Sequence, residues 1–333
     1  MQYDACFRTL TGKAALGQHL VQVDEPAYIS REFPAVVFVN PHAGGGLGRR
    51  QLAQVKRLFL ARKFPAEFIL TESSADMELR VREAISAGNR ALIAMGGDGT
   101  LQALVNAAYG SDVVLSVLPA GGGNDFAAHL RFPRELIAAA ASLTSAAPRC
   151  MDVLRARTAD GRERLYVGGG GLGLDADSAR YSAGAYRRLP GRLRYLAAAL
   201  RALREFKPLH VSADFPGSGA ASINAQVLVA GVLNTPNYGG GLRLAPDARV
   251  DDGLLNAVFV KDLSARQVLA VMPGLLASGD LPERYVNRVS APRVRLTTDR
   301  ACLFHGDGEI LGPAPVEIQV VPGAVRMLAP ITA

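Results

Sequence analysis

Residues 91–110 read ALIAMGGDGTLQALVNAAYG. The run ALIAM is apolar without alternation, which predicts a short strand buried on both faces. Three glycines around one acid, Asp98, follow it. TLQALVNAAYG then has helical spacing, with Gly110 placed as the residue just past a helix end. Strand, glycine loop and helix recur on both sides of this stretch. AVVFVN (35–40) is a strand between Pro34 and Pro41, followed by the loop PHAGGGLG and by RRQLAQVKRLFLAR, apolar at 52, 55, 58 and 59. AEFILT is the next strand, and SSADMELRVREAISAG opens with serine caps and closes at Gly88. VVLSVLP is another strand, and its helix opens at Asn124 and Asp125. The alternation predicts an α/β domain with a doubly wound parallel sheet. Ligands of such sheets lie outside the carboxyl ends of the strands. The loops 41–48, 96–100 and 119–125 all follow strands, so they share that edge.

After about residue 146 the pattern turns into short apolar segments rich in β-branched residues, which predicts a mainly β second domain. Helical spacing there is confined to 178–205 and 263–278. The expected plan is an N-terminal extension (1–32), an α/β domain (33–147) and a β-rich domain (148–321). The chain has 333 residues, 49% of them hydrophobic, which suits two packed domains rather than a disordered chain. No apolar run is long enough to span a bilayer and no signal-peptide pattern opens the sequence, so the expected location is cytoplasmic or peripheral to a membrane. Cys6, Cys150 and Cys302 have no metal-site or disulfide spacing and read as buried reduced thiols. The net charge is +7, and 187–207 holds seven basic residues against one acid, Glu205. With leucines at 189, 193, 196, 200 and 203, this segment reads as an amphipathic helix whose basic face is solvated or meets anionic lipid. Nucleic-acid signatures are absent from the sequence.

A glycine loop between a strand and a helix lets backbone N–H groups approach phosphates. NPHAGGGLGRR fits that use loosely and is neither a Walker A motif nor a dinucleotide fingerprint. In GGDGT, Asp98 suits a divalent metal or a hydroxyl proton, and Thr100 suits a helix cap or a phosphate oxygen. In GGGND, Asn124 and Asp125 either cap a helix or position ligand hydroxyls. PDARVDDGLL (246–255) and FHGDGEI (304–310) read as Asp-Gly turns, or as a hard-cation site and a carboxylate base respectively.

Taken together these blocks resemble the diacylglycerol kinase catalytic-domain family, which includes sphingosine and ceramide kinases and bacterial lipid kinases. The resemblance rests on VFVNPHAGGG, MGGDGTLQALVN, LPAGGGNDFA, GGGLGLDA and PDARVDDGLL, with DGE near the end. It implies ATP on the α/β domain, lipid on the β-rich domain, and a tail (322–333) that returns to the first domain. It assigns the nucleotide to Asn40, Pro41, Gly44, Thr71, Gly96, Gly97, Gly99, Thr100, Gly122, Asn124 and Asp125. Asp98 would face phosphates and metal. Glu309 is implied as the proton acceptor beside Asp307, with Asp98 as the rival base. Mg²⁺ would be held by Asp252 and the carbonyls of Arg249 and Leu254. The implied activity is ATP-dependent phosphorylation of diacylglycerol or a related lipid, at an anionic membrane surface, with a second copy of the chain left open as a partner. Two other readings stand beside it: a non-catalytic lipid- or nucleotide-binding regulator, and a kinase of a soluble substrate such as NAD. The sequence departs from the family at Gly122, where a hydroxyl is usual, at Gly168, where Asn is expected, and at His305, where Gln is common. The basic residue after the first glycine loop is displaced to Arg49 or Arg50.

Overall fold

The computed structural model describes residues 28–173 and 208–331, apart from 240 and positions 265, 268–269, 272–273 and 275–277. The α/β half runs β1 (Ala35–Val39), α1 (Ala43–Ala61), β2 (Ala66–Leu70), α2 (Ser74–Ser86), β3 (Ala91–Gly96), α3 (Asp98–Ala108), β4 (Val114–Pro119), α4 (Asp125–His129) and α5 (Leu136–Leu143). β1 pairs with β2 and with β3, and β3 pairs with β4, all in parallel. Every residue of β1, β3 and β4 is buried, as unalternated apolar runs require between two helix layers. Ser73 caps α2 by accepting from the Asp76 N–H, and Gly88 beyond it has φ +97°.

Strand order β2–β1–β3–β4 reverses direction between β1 and β3. That reversal opens a crevice at the carboxyl ends of these two strands, where Asn40 and Gly97 lie.

The rest of the chain is β-rich: β5 (Ala147–Arg157), β6 (Glu163–Tyr166), β7 (Gly169–Gly173), β8 (Leu209–Asp214), β9 (Ile223–Leu233), β10 (Asn237–Tyr238), β11 (Leu242–Arg243), β12 (Leu255–Lys261), β13 (Val286–Ala291), β14 (Arg293–Thr298), β15 (Leu303–Gly306), β16 (Glu309–Pro313) and β17 (Val316–Ala329). Its core is packed by Tyr166, Phe259 and Phe304. β17 is one strand of 14 residues with a bulge near Gly323. Its first part pairs with β14, its last part pairs in parallel with β4, and β5 runs antiparallel along it.

Cys302 is half-buried with its Sγ 3.8 Å from Thr298 Oγ1, while Cys150 is in a disulfide, which corrects the expectation of a reduced thiol at that position. Spacing alone does not reveal which distant cysteines a fold brings together. Cys6, the extension 1–27 and the basic segment 187–207 lie outside the described residues. Among the described residues no helix is long and apolar enough to cross a membrane.

Candidate active site

Three strand ends of the parallel sheet build one side of the site. After β1, Asn40 bridges two loops: its Nδ2 donates to Thr100 Oγ1 at 3.2 Å, and its Oδ1 accepts from the His42 N–H at 3.0 Å. Pro41 is half-buried, and Gly44 to Gly46 then run left-handed into α1. A Cβ at Gly44 would lie 2.3 Å from the Ala120 carbonyl oxygen, so only glycine lets this loop pack on the end of β4. Thr71, after β2, is buried and turned inward: its hydroxyl donates to the Val39 carbonyl.

After β3, a Cβ on Gly96 would strike Thr100, and Gly97 lies against Gly121 of the next loop. Asp98 opens α3, but its carboxylate caps α4. Oδ2 accepts from the N–H groups of Asn124 (3.0 Å) and Asp125 (3.4 Å), and Oδ1 accepts from Phe126 (3.3 Å). Its pKa is pushed up to about 6, chiefly by burial and next by the Asp125 carboxylate. Asn124 is left-handed and makes no cap. Its side chain instead accepts from the Gly121 N–H and donates to the Gly121 carbonyl, each at 2.9 Å, and so closes its own loop. Gly122 stands exposed at the tip.

The facing side comes from the β15–β16 hairpin. Asp307 and Gly308 form its two-residue turn, both at positive φ, as an Asp-Gly hairpin turn requires. The Asp307 carboxylate clamps the strand beside it, accepting from the N–H groups of Val167 (2.8 Å), Gly168 (2.9 Å) and Gly169 (3.3 Å). Burial first, and then the neighbouring Asp98, push its pKa up to about 7. A Cβ at Gly168 would lie 3.1 Å from Asp307 Oδ1, so the glycine that departs from the expected Asn leaves room for the clamp. Glu309 crosses to the other lobe: a Cβ on Gly99 would meet its Oε1 at 3.0 Å. Glu309 is exposed as a residue, yet partial desolvation of the carboxyl raises its pKa. Its oxygens take no hydrogen bond among the described residues. The hairpin and the GGDGT loop thus meet, and Asp98, Asp307 and Glu309 are brought together where they do.

The loop 249–254 stands apart. Asp252 is exposed and its Oδ1 accepts from the Leu254 N–H at 3.0 Å, while Arg249 pairs with Asp251 at 3.1 Å. Among the described residues no group of three or more His, Cys, Asp or Glu side chains is arranged to hold a metal.

Residues 34–156 match the diacylglycerol kinase catalytic domain, and residues 170–329 match the YegS C-terminal NAD kinase beta sandwich-like domain. A relative from Stenotrophomonas maltophilia (strain K279a), named "Probable lipid kinase YegS-like", is 31% identical over 279 residues, covering 79% of this chain and 86% of the relative. The chain belongs to the family of YegS-like lipid kinases and diacylglycerol kinases. This lipid kinase is also 29% identical over 248 residues to a diacylglycerol kinase of Mycobacterium tuberculosis (strain ATCC 25618 / H37Rv), covering 74% of this chain and 79% of the other. Its fold is shared with a diacylglycerol kinase from Bacillus anthracis str. Sterne, with a TM-score of 0.67 at 20% identity, over 89% of this chain and 96% of that one.

Four buried or half-buried polar residues of the lipid kinase escape a motif reading. Gln102 donates to the Gly306 carbonyl at 3.1 Å, and Asn106 bonds both ways with the backbone of Leu165. Asp152 accepts from the N–H groups of Gly253 (2.7 Å) and Gly323 (2.8 Å), and burial raises its pKa. Asn234 donates to the carbonyls of Asp152 and Val167. Their one sequence signal is a polar side chain inside an apolar run, which a buried hydrogen bond explains.

Proposed function

We propose that this lipid kinase transfers the γ-phosphoryl group of ATP to the hydroxyl of diacylglycerol or a related lipid, with Glu309 as the proton acceptor. The observation that carries the choice of base is the contrast between two carboxylates. Both oxygens of Asp98 already accept backbone N–H groups, whereas Glu309 stands against Gly99 and takes no hydrogen bond among the described residues. A carboxylate with free lone pairs and a raised pKa is suited to take a proton from a hydroxyl.

The lipid hydroxyl gives its proton to Glu309 as its oxygen forms a bond to the γ-phosphorus, and the bond from that phosphorus to the β–γ bridging oxygen breaks. ADP leaves. Asn40, Gly44 and the loops 96–100 and 121–125 line the crevice between β1 and β3, where phosphates of a nucleotide are accommodated in sheets of this kind. Thr71 supports the end of β1 from within. Asp98 holds the N-terminus of α4 in place and fixes the GGGND loop.

Carboxylates lie near one another at two places, which we read as the candidate cation sites. Asp98 feels both Asp125 and Asp307, and Asp152 feels Asp251 and Asp252. Asp98 with Asp125 would hold Mg²⁺ on the nucleotide side, and Asp252 with the carbonyls of Arg249 and Leu254 would hold it on the other. When bound beside the nucleotide, the ion supplies neutralisation of charge on the transferring phosphoryl group. The basic run 187–207 is the segment we assign to an anionic membrane surface, each basic residue contributing up to about 1 kcal/mol there.

Incubation with radiolabelled ATP and a mixed lipid extract, followed by chromatography, tests the reading. A labelled lipid, with diacylglycerol as the best acceptor among purified candidates, is the expected result. Label on a soluble acceptor with none in the lipid fraction overturns it.

A further inference from the structure

We propose that Gln102, supported by Asn106, is a positioning residue for the transfer step, one that sets where Glu309 stands against Gly99. The inference rests on Glu309 as the proton acceptor. Residues 98, 102 and 106 are spaced four apart on α3 and therefore lie along one helix face. Asp98 begins that face and organises the α4 loop. One turn on, Gln102 is buried and its Nε2 donates to the carbonyl of Gly306, the residue that precedes the Asp307–Gly308 turn. A further turn on, Asn106 Nδ2 donates to the Leu165 carbonyl and its Oδ1 accepts from the Leu165 N–H, at 2.8 and 2.9 Å. Leu165 stands two residues before Val167, where the Asp307 clamp begins.

The hairpin has its own anchors within the β-rich half. β15 pairs with β7, and Asp307 holds the 167–169 backbone. Those anchors fix the hairpin to its own lobe but do not set its distance from the phosphate-side loops. The Gln102 bond ties it directly to α3, the helix that leaves the GGDGT loop. Asn106 Nδ2 also donates to the Gln102 carbonyl at 2.8 Å, which joins the two amides into one unit. A base displaced by about 1 Å from its hydroxyl costs on the order of a hundredfold in rate, so a bond that helps to hold this spacing has a kinetic consequence.

The test is a double-mutant cycle on the full chain, with kcat and the KM for ATP measured for Gln102→Met, Glu309→Gln and the pair. Gln102→Met keeps the side-chain volume and removes the donor. Expected is a loss of about tenfold in kcat with the KM for ATP unchanged. In the Glu309→Gln background the same change has an effect below about twofold, since two residues acting as a unit are not additive. Melting temperatures of all variants monitor folding. If Gln102→Met does not fold, Gln102→Asn, which draws the amide back by one methylene, replaces it in the cycle. A Glu309→Gln enzyme of near-native rate removes the base, and the inference with it. A large loss in Glu309→Gln, with the Gln102 change costing the same factor in both backgrounds, leaves the base standing and overturns the positioning role alone.

Discussion

Asp98 and Glu309 carry the same functional group, and their surroundings give them different work. Asp98 spends its oxygens on three N–H groups of the α4 terminus, so its replacement by Asn turns an N–H₂ group towards donors that need an acceptor. The GGGND loop then shifts. Asp98→Asn is expected to cut turnover by at least ~100-fold and to raise the KM for ATP as well. Glu309→Gln is expected to cut kcat by at least ~100-fold while leaving the KM for ATP near its native value. Steady-state kinetics over an ATP series separates the two, and near-native rates in both would sink the mechanism. The raised pKa of Asp98, about 6, has a further consequence for stability. The unfolded chain titrates this carboxyl near 4, so between about pH 4 and 6 the folded state binds more protons than the unfolded one. Its contribution to stability therefore rises as pH falls through that window, and the full penalty is present above pH 6. Urea unfolding across pH 4.5 to 7 should show a weaker stabilisation on acidification in Asp98→Asn than in the native chain, and equal slopes would refute the assignment.

At the scale of elements, the three glycine loops work because they lie close enough to touch. Gly44 is the tightest contact, with a left-handed φ of +55° and the Ala120 oxygen where a side chain would begin. Gly44→Ala is expected to cost about 1–3 kcal/mol of stability and, by lifting the loop from β4, to raise the KM for ATP by roughly tenfold. Thermal melts and ATP titrations read both. The hairpin responds differently. Asp307→Ala strands three backbone donors at 167–169, for which a loss of roughly 1–3 kcal/mol is expected, with kcat falling because Glu309 loses its footing. These elements were unequally legible in the sequence. β1, β3 and α2 could be read because periodicity and caps are local signals: an unbroken apolar run for a doubly covered strand, serine before an acid for a helix start. Asn124 could not be read, since the cap of α4 comes from Asp98, far back in the chain, and no local pattern encodes it. The Asp-Gly turn at 307 was visible, but the clamp on 167–169 depends on β15 pairing with β7, a contact between residues over a hundred positions apart.

The whole molecule is tied by β17. The sheet path runs unbroken from β16 through β14 and β17 to β4 and on to β2, so the two halves share one hydrogen-bonded strand rather than meeting across a linker. β4 is entirely buried, and its edge away from β3 is covered by the last part of β17 through Arg326 and Met327. Ser116 of β4 also donates its hydroxyl to the Leu328 carbonyl at 3.0 Å. Asp152 reinforces the same seam by holding the N–H of Gly323 at the bulge. A strand shared in this way couples the unfolding of both halves, because neither can lose its sheet without exposing an apolar edge of the other. The full chain is accordingly expected to melt in a single transition whose calorimetric and van't Hoff enthalpies agree. A fragment ending at residue 146 leaves β4 with a bare, buried-type edge and is expected to aggregate, whereas two peptide domains joined loosely would give a soluble, nucleotide-competent first half. Expression of that fragment beside scanning calorimetry of the whole chain decides between the two architectures: a soluble fragment together with two resolved transitions would refute the coupling. A single transition and an insoluble fragment would mean that the spacing of Glu309 from Gly99 is held by the same cooperative unit that folds the chain, so that changes in β17 far from the site register in turnover.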